Sequence, residues 1–115
     1  MTTTKFAASA RNAKTSDLIA EWGISFVPEG YHFNVVCPNA EAKLGELLPQ
    51  LHEARVDWAT ASINDALDAT ERYRGLERVA ELLAEACEGT PTANEFERWF
   101  GRWGIYWEME AGLDA

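Results

Sequence analysis

Apolar residues recur along this chain in two rhythms. From about position 40 to 103 they mostly return every three or four residues, the spacing of one helix face. Around 24–37 and 105–110 they alternate instead, the spacing of a half-buried strand. Thr15 or Ser16 can cap a short first helix over 17–22, and Gly23 stops it. Residues 24–27 and 31–37 then predict a hairpin joined through Pro28-Glu29-Gly30. Tyr31, Phe33, Val35 and Cys37 share one face of its second strand, with His32 and Asn34 on the other. Asn39 is placed to cap the next helix, which carries Leu44, Leu47, Leu48 and Leu51 on one stripe. Pro49 predicts a kink or break between Leu48 and Gln50.

Helical spacing resumes at Asp57, with Ala59, Ile63, Ala66, Leu67 and Thr70 in phase and Gly75 as punctuation. Leu76, Val79, Ala80, Leu83 and Cys87 form the clearest amphipathic stripe, closed by Gly89 and Pro91. Thr92-Ala93-Asn94-Glu95 reads as a capping box. The helix after it carries Phe96, Trp99, Phe100 and Trp103 at i, i+3, i+4 and i+7, which is the spacing of a buried face. Gly104 ends that helix. Ile105, Trp107 and Met109 then alternate with Tyr106, Glu108 and Glu110, as in a strand with one wet face.

These elements predict an α+β fold. A small antiparallel sheet of about three strands, the hairpin 24–37 plus a C-terminal strand 105–110, is packed by three to four helices. Residues 1–14 read as a flexible basic tail and 15–115 as a single domain.

Composition narrows the function. The chain has 115 residues, 47% of them hydrophobic and 25% charged, as in an ordinary globular domain with its own core. Its formal net charge is −9. Lys5, Arg11 and Lys14 give the first fifteen residues +3, so the remaining hundred carry −12. Such a body repels phosphates, which argues against direct nucleic-acid binding, and attracts basic protein surfaces. No apolar run is long enough to cross a membrane or to act as a signal peptide. Cys37 and Cys87 form no Cys-x-x-Cys motif and read as reduced, small hydrophobes, which suits a cytoplasmic protein.

The chemistry-bearing residues do not assemble into a recognised catalytic or metal motif. His52-Glu53 begins a zinc-protease pattern, but Val56 stands where the second histidine must be. Cys37 and His32 lie five apart on one strand, hence on opposite faces, and cannot form a local dyad. Ser9, Ser16, Ser25 and Ser62 sit in no nucleophile elbow, and phosphate-binding glycine loops are missing from the sequence. No metal and no cofactor is therefore expected.

What remains is charge. Glu77, Glu81 and Glu85 recur every four residues opposite the apolar stripe, and Glu88 continues the row. With Tyr106 and Glu108 on the wet strand face, they are the expected contact residues for a protein partner with a basic surface. The function expected from the sequence is that of a non-catalytic acidic binding domain, an inhibitor or adaptor that occupies a partner's surface. Two alternatives follow from the same residues. The carboxylate row could imitate a nucleic-acid backbone and block a basic groove in a nuclease, repressor or defence complex. A small enzyme could assemble its site from distant residues.

Overall fold

The structure, a computed structural model, describes residues 10–101. Over that range the chain is α+β, with four helices and one two-stranded antiparallel hairpin. The C-terminal strand expected at 105–110, together with Trp103, lies outside the described residues.

Helix α1 spans Ala10–Glu21, so it begins well before the cap expected at Thr15 or Ser16. It closes in a Schellman motif. The amide of Gly23 donates to the Ala20 carbonyl, and that of Ile24 donates to the Ile19 carbonyl at 3.1 Å. That turn requires a left-handed residue, and Gly23 supplies it at φ 75°. Lys43 Nζ reaches back from the next helix to the Trp22 carbonyl at 2.9 Å, a cation at the negative end of α1.

Strands β1 (Ser25–Glu29) and β2 (His32–Val36) pair from Ser25↔Val36 to Glu29↔His32. The connection is thus the two residues Gly30-Tyr31, not Pro28-Glu29-Gly30. Gly30 at φ 63° occupies the first central position, which is the pattern of a tight hairpin turn. Pro28 joins the ladder of β1 and so marks it as an edge strand.

Helix α2 covers Ala40–Thr60 in one piece. Of the kink or break expected at Pro49, the break does not occur, and the helix expected from Asp57 is not a separate one. Leu44, Leu47, Leu48, Leu51 and Ala54 are all buried on one stripe, and burial on both sides of Pro49 holds the helix together across it. Asn39 stands at the cap position but makes no side-chain cap bond; it turns the chain at φ 57°, a conformation asparagine tolerates.

The chain breaks instead after Thr60. Ser62 Oγ donates to Asp65 Oδ2 at 3.1 Å, and the Asp65 amide donates to the Ser62 carbonyl. Local bonds of this kind compete with helix continuation. Ile63 and Leu67, expected on a buried face, are consequently exposed.

Helix α3 spans Ala66–Ala86, with Gly75 inside it rather than before it. A Cβ at Gly75 would stand 3.3 Å from Leu18 Cδ1, so this glycine lets α1 approach α3 closely. Tyr73, Leu76, Val79, Ala80, Leu83 and Cys87 face the core. Helix α4 covers Pro91–Phe100. Its cap is Thr90, whose Oγ1 accepts from the Ala93 amide at 3.2 Å, with Pro91 in the first turn. The cap thus falls two residues before the expected Thr92, and with Ala93 three residues after it the expected capping box is not formed. Thr92 Oγ1 donates to Glu41 Oε2 on α2 at 3.1 Å, tying the two helix starts together. Phe96 and Phe100 are buried as expected, and Trp99 packs partly exposed against the core.

Candidate functional site

The acidic row rides on α3 because the apolar stripe fixes that helix's rotation. With Leu76, Val79, Ala80 and Leu83 inward, positions 77, 81, 85 and 88 are carried toward the rim or solvent. The structure then splits the row into two parts.

Glu77 is the inner part. It is half-buried, and its Oε2 accepts a hydrogen bond from the Tyr73 hydroxyl at 3.3 Å. Tyr73 in turn accepts from Arg55 Nε at 2.8 Å. Arg55 is the one buried charged residue among those described, and its Nη1 also donates to the Trp99 carbonyl at 2.8 Å. Its guanidinium lies 4.4 Å from the Phe100 ring centroid and 5.4 Å from that of Tyr73. One arginine thus ties α2, α3 and α4 together. Trp58 stacks on the outer side of Tyr73 with ring centroids 5.3 Å apart.

Electrostatics follow from this burial. Loss of solvent pushes the Tyr73 hydroxyl up to about 12, against the opposing pull of Arg55. Burial also raises the Glu77 carboxyl above its ordinary range, and the charge on Glu81 adds to the rise. Glu77 therefore belongs to an internal polar network and is not a free member of an outward-facing stripe.

Glu81, Glu85 and Glu88 form the outer part. They are exposed and line a groove of about 430 Å³ between α3 and α4. Glu97 from α4 joins them, and Ala84, Ala93 and Phe96 form its apolar floor. The lining holds four glutamates and no lysine or arginine. Arg78 Nη1 pairs with Glu81 Oε1 at 3.3 Å, an exposed i,i+3 pair worth little in water. Glu85, Glu88 and Glu97 have no ion pair among the described residues. Tyr106 and Glu108 lie outside the described residues.

Sequence reasoning missed two participants. Arg55 sits three and four positions beyond His52 and Leu51, in phase with the buried leucine stripe, and that phase was the available signal. Glu97 could not be assigned to the groove without the crossing of α4 over α3.

Other chemistry is scattered. His32 is exposed on β2, while His52 packs against Phe100 with ring centroids 4.6 Å apart. Cys37 and Cys87 are both buried free thiols. Cys37 Sγ lies 3.4 Å from Lys43 Nζ and donates to the Trp22 carbonyl at 3.3 Å. No group of three histidine, cysteine or acidic side chains is placed to hold a metal among the described residues. No helix there is long and apolar enough to cross a membrane. Comparison of the chain with protein-family models, characterised proteins and solved structures returns no match.

Proposed function

We propose that this protein is a non-catalytic binding domain that occupies a basic surface of a partner protein, as an inhibitor or adaptor. One observation carries the reading. Glu85, Glu88 and Glu97, which have no ion pair among the described residues, converge with Glu81 on a groove whose described lining contains no cation. An acidic rim over an apolar floor suits a lysine- or arginine-bearing segment: its charged heads meet the glutamates while its aliphatic stems lie on Ala84, Ala93 and Phe96. Tyr106 and Glu108 belong to the same proposed contact set through their strand spacing. The two buried free thiols favour a reducing, cytoplasmic setting.

Imitation of a nucleic-acid backbone is the weaker reading. It needs a continuous row of outward charges, and the Tyr73 hydrogen bond draws Glu77 out of that row. Only Glu81 and Glu85 are left on α3, about 6 Å apart along the helix, with Glu88 just past its end.

The test is capture of partners on immobilised protein, with identification of what binds, in parallel with the Glu85→Lys/Glu88→Lys variant. Binding that weakens steeply with salt and disappears in the folded variant supports the proposal. Partners retained equally by the variant would refute it, as would turnover of a small-molecule substrate.

A further inference from the structure

Away from the groove, three segments bring a sulfur and an amine together. The end of α1 offers the Trp22 carbonyl, the residue after β2 is Cys37, and the first turn of α2 carries Lys43. Lys43 Nζ donates to the Trp22 carbonyl at 2.9 Å and to Cys37 Sγ at 3.4 Å. Cys37 Sγ donates to that same carbonyl at 3.3 Å. One acceptor thus holds both groups, and they touch each other. A Cβ at Gly23 would stand 3.0 Å from Nζ, so this glycine leaves the amine its place. Lys43 is half-buried, and Cys37 keeps 9% of its surface in contact with solvent. Cys87 is a free thiol of the same 9% exposure, but its sulfur has no bond to a lysine among the described residues.

We infer that Cys37 and Lys43 form an oxidative modification site, at which hydrogen peroxide links Sγ to Nζ as a sulfenamide. The chemistry takes two steps. Cys37 Sγ first attacks one peroxide oxygen. The O–O bond breaks, the sulfur becomes a sulfenic acid, and the other oxygen leaves as water. The neutral amine of Lys43 then attacks Sγ. An S–N bond forms, the S–O bond breaks, and the hydroxyl leaves with a proton from the amine as a second water. The sulfur gives up two electrons, and one peroxide takes them. Because the amine already touches the sulfur, the second step is intramolecular and outruns capture by a second peroxide. A dissolved thiol reverses the link by attacking Sγ, which frees the amine, as in disulfide exchange. The bridge joins residues 37 and 43 across the Asn39 turn. It also removes the Lys43 ammonium from the negative end of α1, so the modification acts on the seam between α1, the hairpin and α2.

The experiment is peroxide treatment of the folded full chain, followed by tryptic peptide mapping by mass. A modified Lys43 no longer directs trypsin, so a peptide 15–55 should replace 15–43, since no lysine or arginine lies between 14 and 43 or between 43 and 55. Its mass should be about 2 Da below that of the same uncut reduced segment. Dithiothreitol should restore both the mass and the cleavage. Lys43→Arg keeps a cation but offers no amine. There Cys37 should run on to sulfinic acid, about 32 Da heavier, and resist recovery by thiol. If that variant fails to fold, Cys87 in the unaltered chain replaces it as the control, because it has no amine to arrest it and should show the same irreversible gain. Cleavage after Lys43 that persists under oxidation would overturn the inference. So would a Cys37–Cys87 disulfide, a Cys37 left unoxidised, or an equal loss of mass at Cys37 in Lys43→Arg.

Discussion

Arg55 Nε donates to the Tyr73 hydroxyl at 2.8 Å, in a site where both residues are buried. The bond matters because a buried guanidinium deprived of a partner costs more than the bond itself contributes. Tyr73→Phe keeps the ring stacked on Trp58 and removes only the acceptor. It should lower unfolding stability by about 1–3 kcal/mol in urea titration. A neutral result would mean that water or another group satisfies Arg55 equally well.

The same site sets a pH response at the alkaline end. Tyr73 is raised to about 12 in the folded chain, by burial before any other cause. Below the ordinary tyrosine value of about 10, both folded and unfolded states keep the proton and the contribution is fully present. As pH rises further, the unfolded state gives up its proton first, so stability is lost through the folded value. Tyr73→Phe should therefore lose less stability than the unaltered protein between about pH 10 and 12, as measured by chemical denaturation at each pH. Parallel curves for the two proteins would contradict the burial of this hydroxyl.

Glu77 gives the acid-side counterpart. Its carboxyl is raised, first by burial and then by Glu81. A raised carboxyl favours the folded state while protonated, below the unfolded value, and that benefit is lost as pH rises through the folded value. Glu77→Gln keeps an acceptor for the Tyr73 hydroxyl without the buried charge. It should equal or exceed the unaltered protein in stability at neutral pH, with the advantage shrinking at about pH 4. Strong destabilisation at neutral pH would show that the charge itself holds Arg55 in place.

Pro49 lies exposed inside the continuous helix α2 and offers no N–H to the ladder. Pro49→Ala restores that donor and should raise stability by about 1–3 kcal/mol, read as a higher denaturation midpoint. A loss of stability would indicate that the proline ring packs usefully.

The cap of α4 separates two neighbouring threonines. Thr90→Ala removes the acceptor for the Ala93 amide and should cost about 1 kcal/mol. Thr92→Ala removes only the tie to Glu41 and should cost less. The reverse order would restore Thr92 as the cap.

The helical core was readable because its signal is periodic. The stripe from Leu44 to Leu51, that from Leu76 to Cys87, and Phe96 with Phe100 are all buried as their spacing indicates. Boundaries were less legible, since they are set by competition between local and long-range terms. Pro49 is overridden by burial of leucines on both sides, and Gly75 serves packing against Leu18 instead of ending a helix. Ile63 and Leu67 keep helical phase but are cut off by the Ser62–Asp65 turn. Glu77, Glu81 and Glu85 lie on α3 and Glu88 just past its end, yet spacing alone gave no sign that Tyr73 would draw Glu77 inward. Nor could it show that α4 would bring Glu97 beside Glu85, because that depends on how the helices cross.

The central claim is that the α3–α4 groove engages basic segments through its exposed glutamates. Its most direct measurement is chemical-shift mapping of the isotopically labelled chain with an arginine- and lysine-rich peptide, at low and at physiological salt. The account expects the shifts to concentrate on residues 81–97, to weaken steeply with salt, and to vanish in Glu85→Lys/Glu88→Lys. Shifts spread evenly over every acidic residue, or left intact by that reversal, would contradict it.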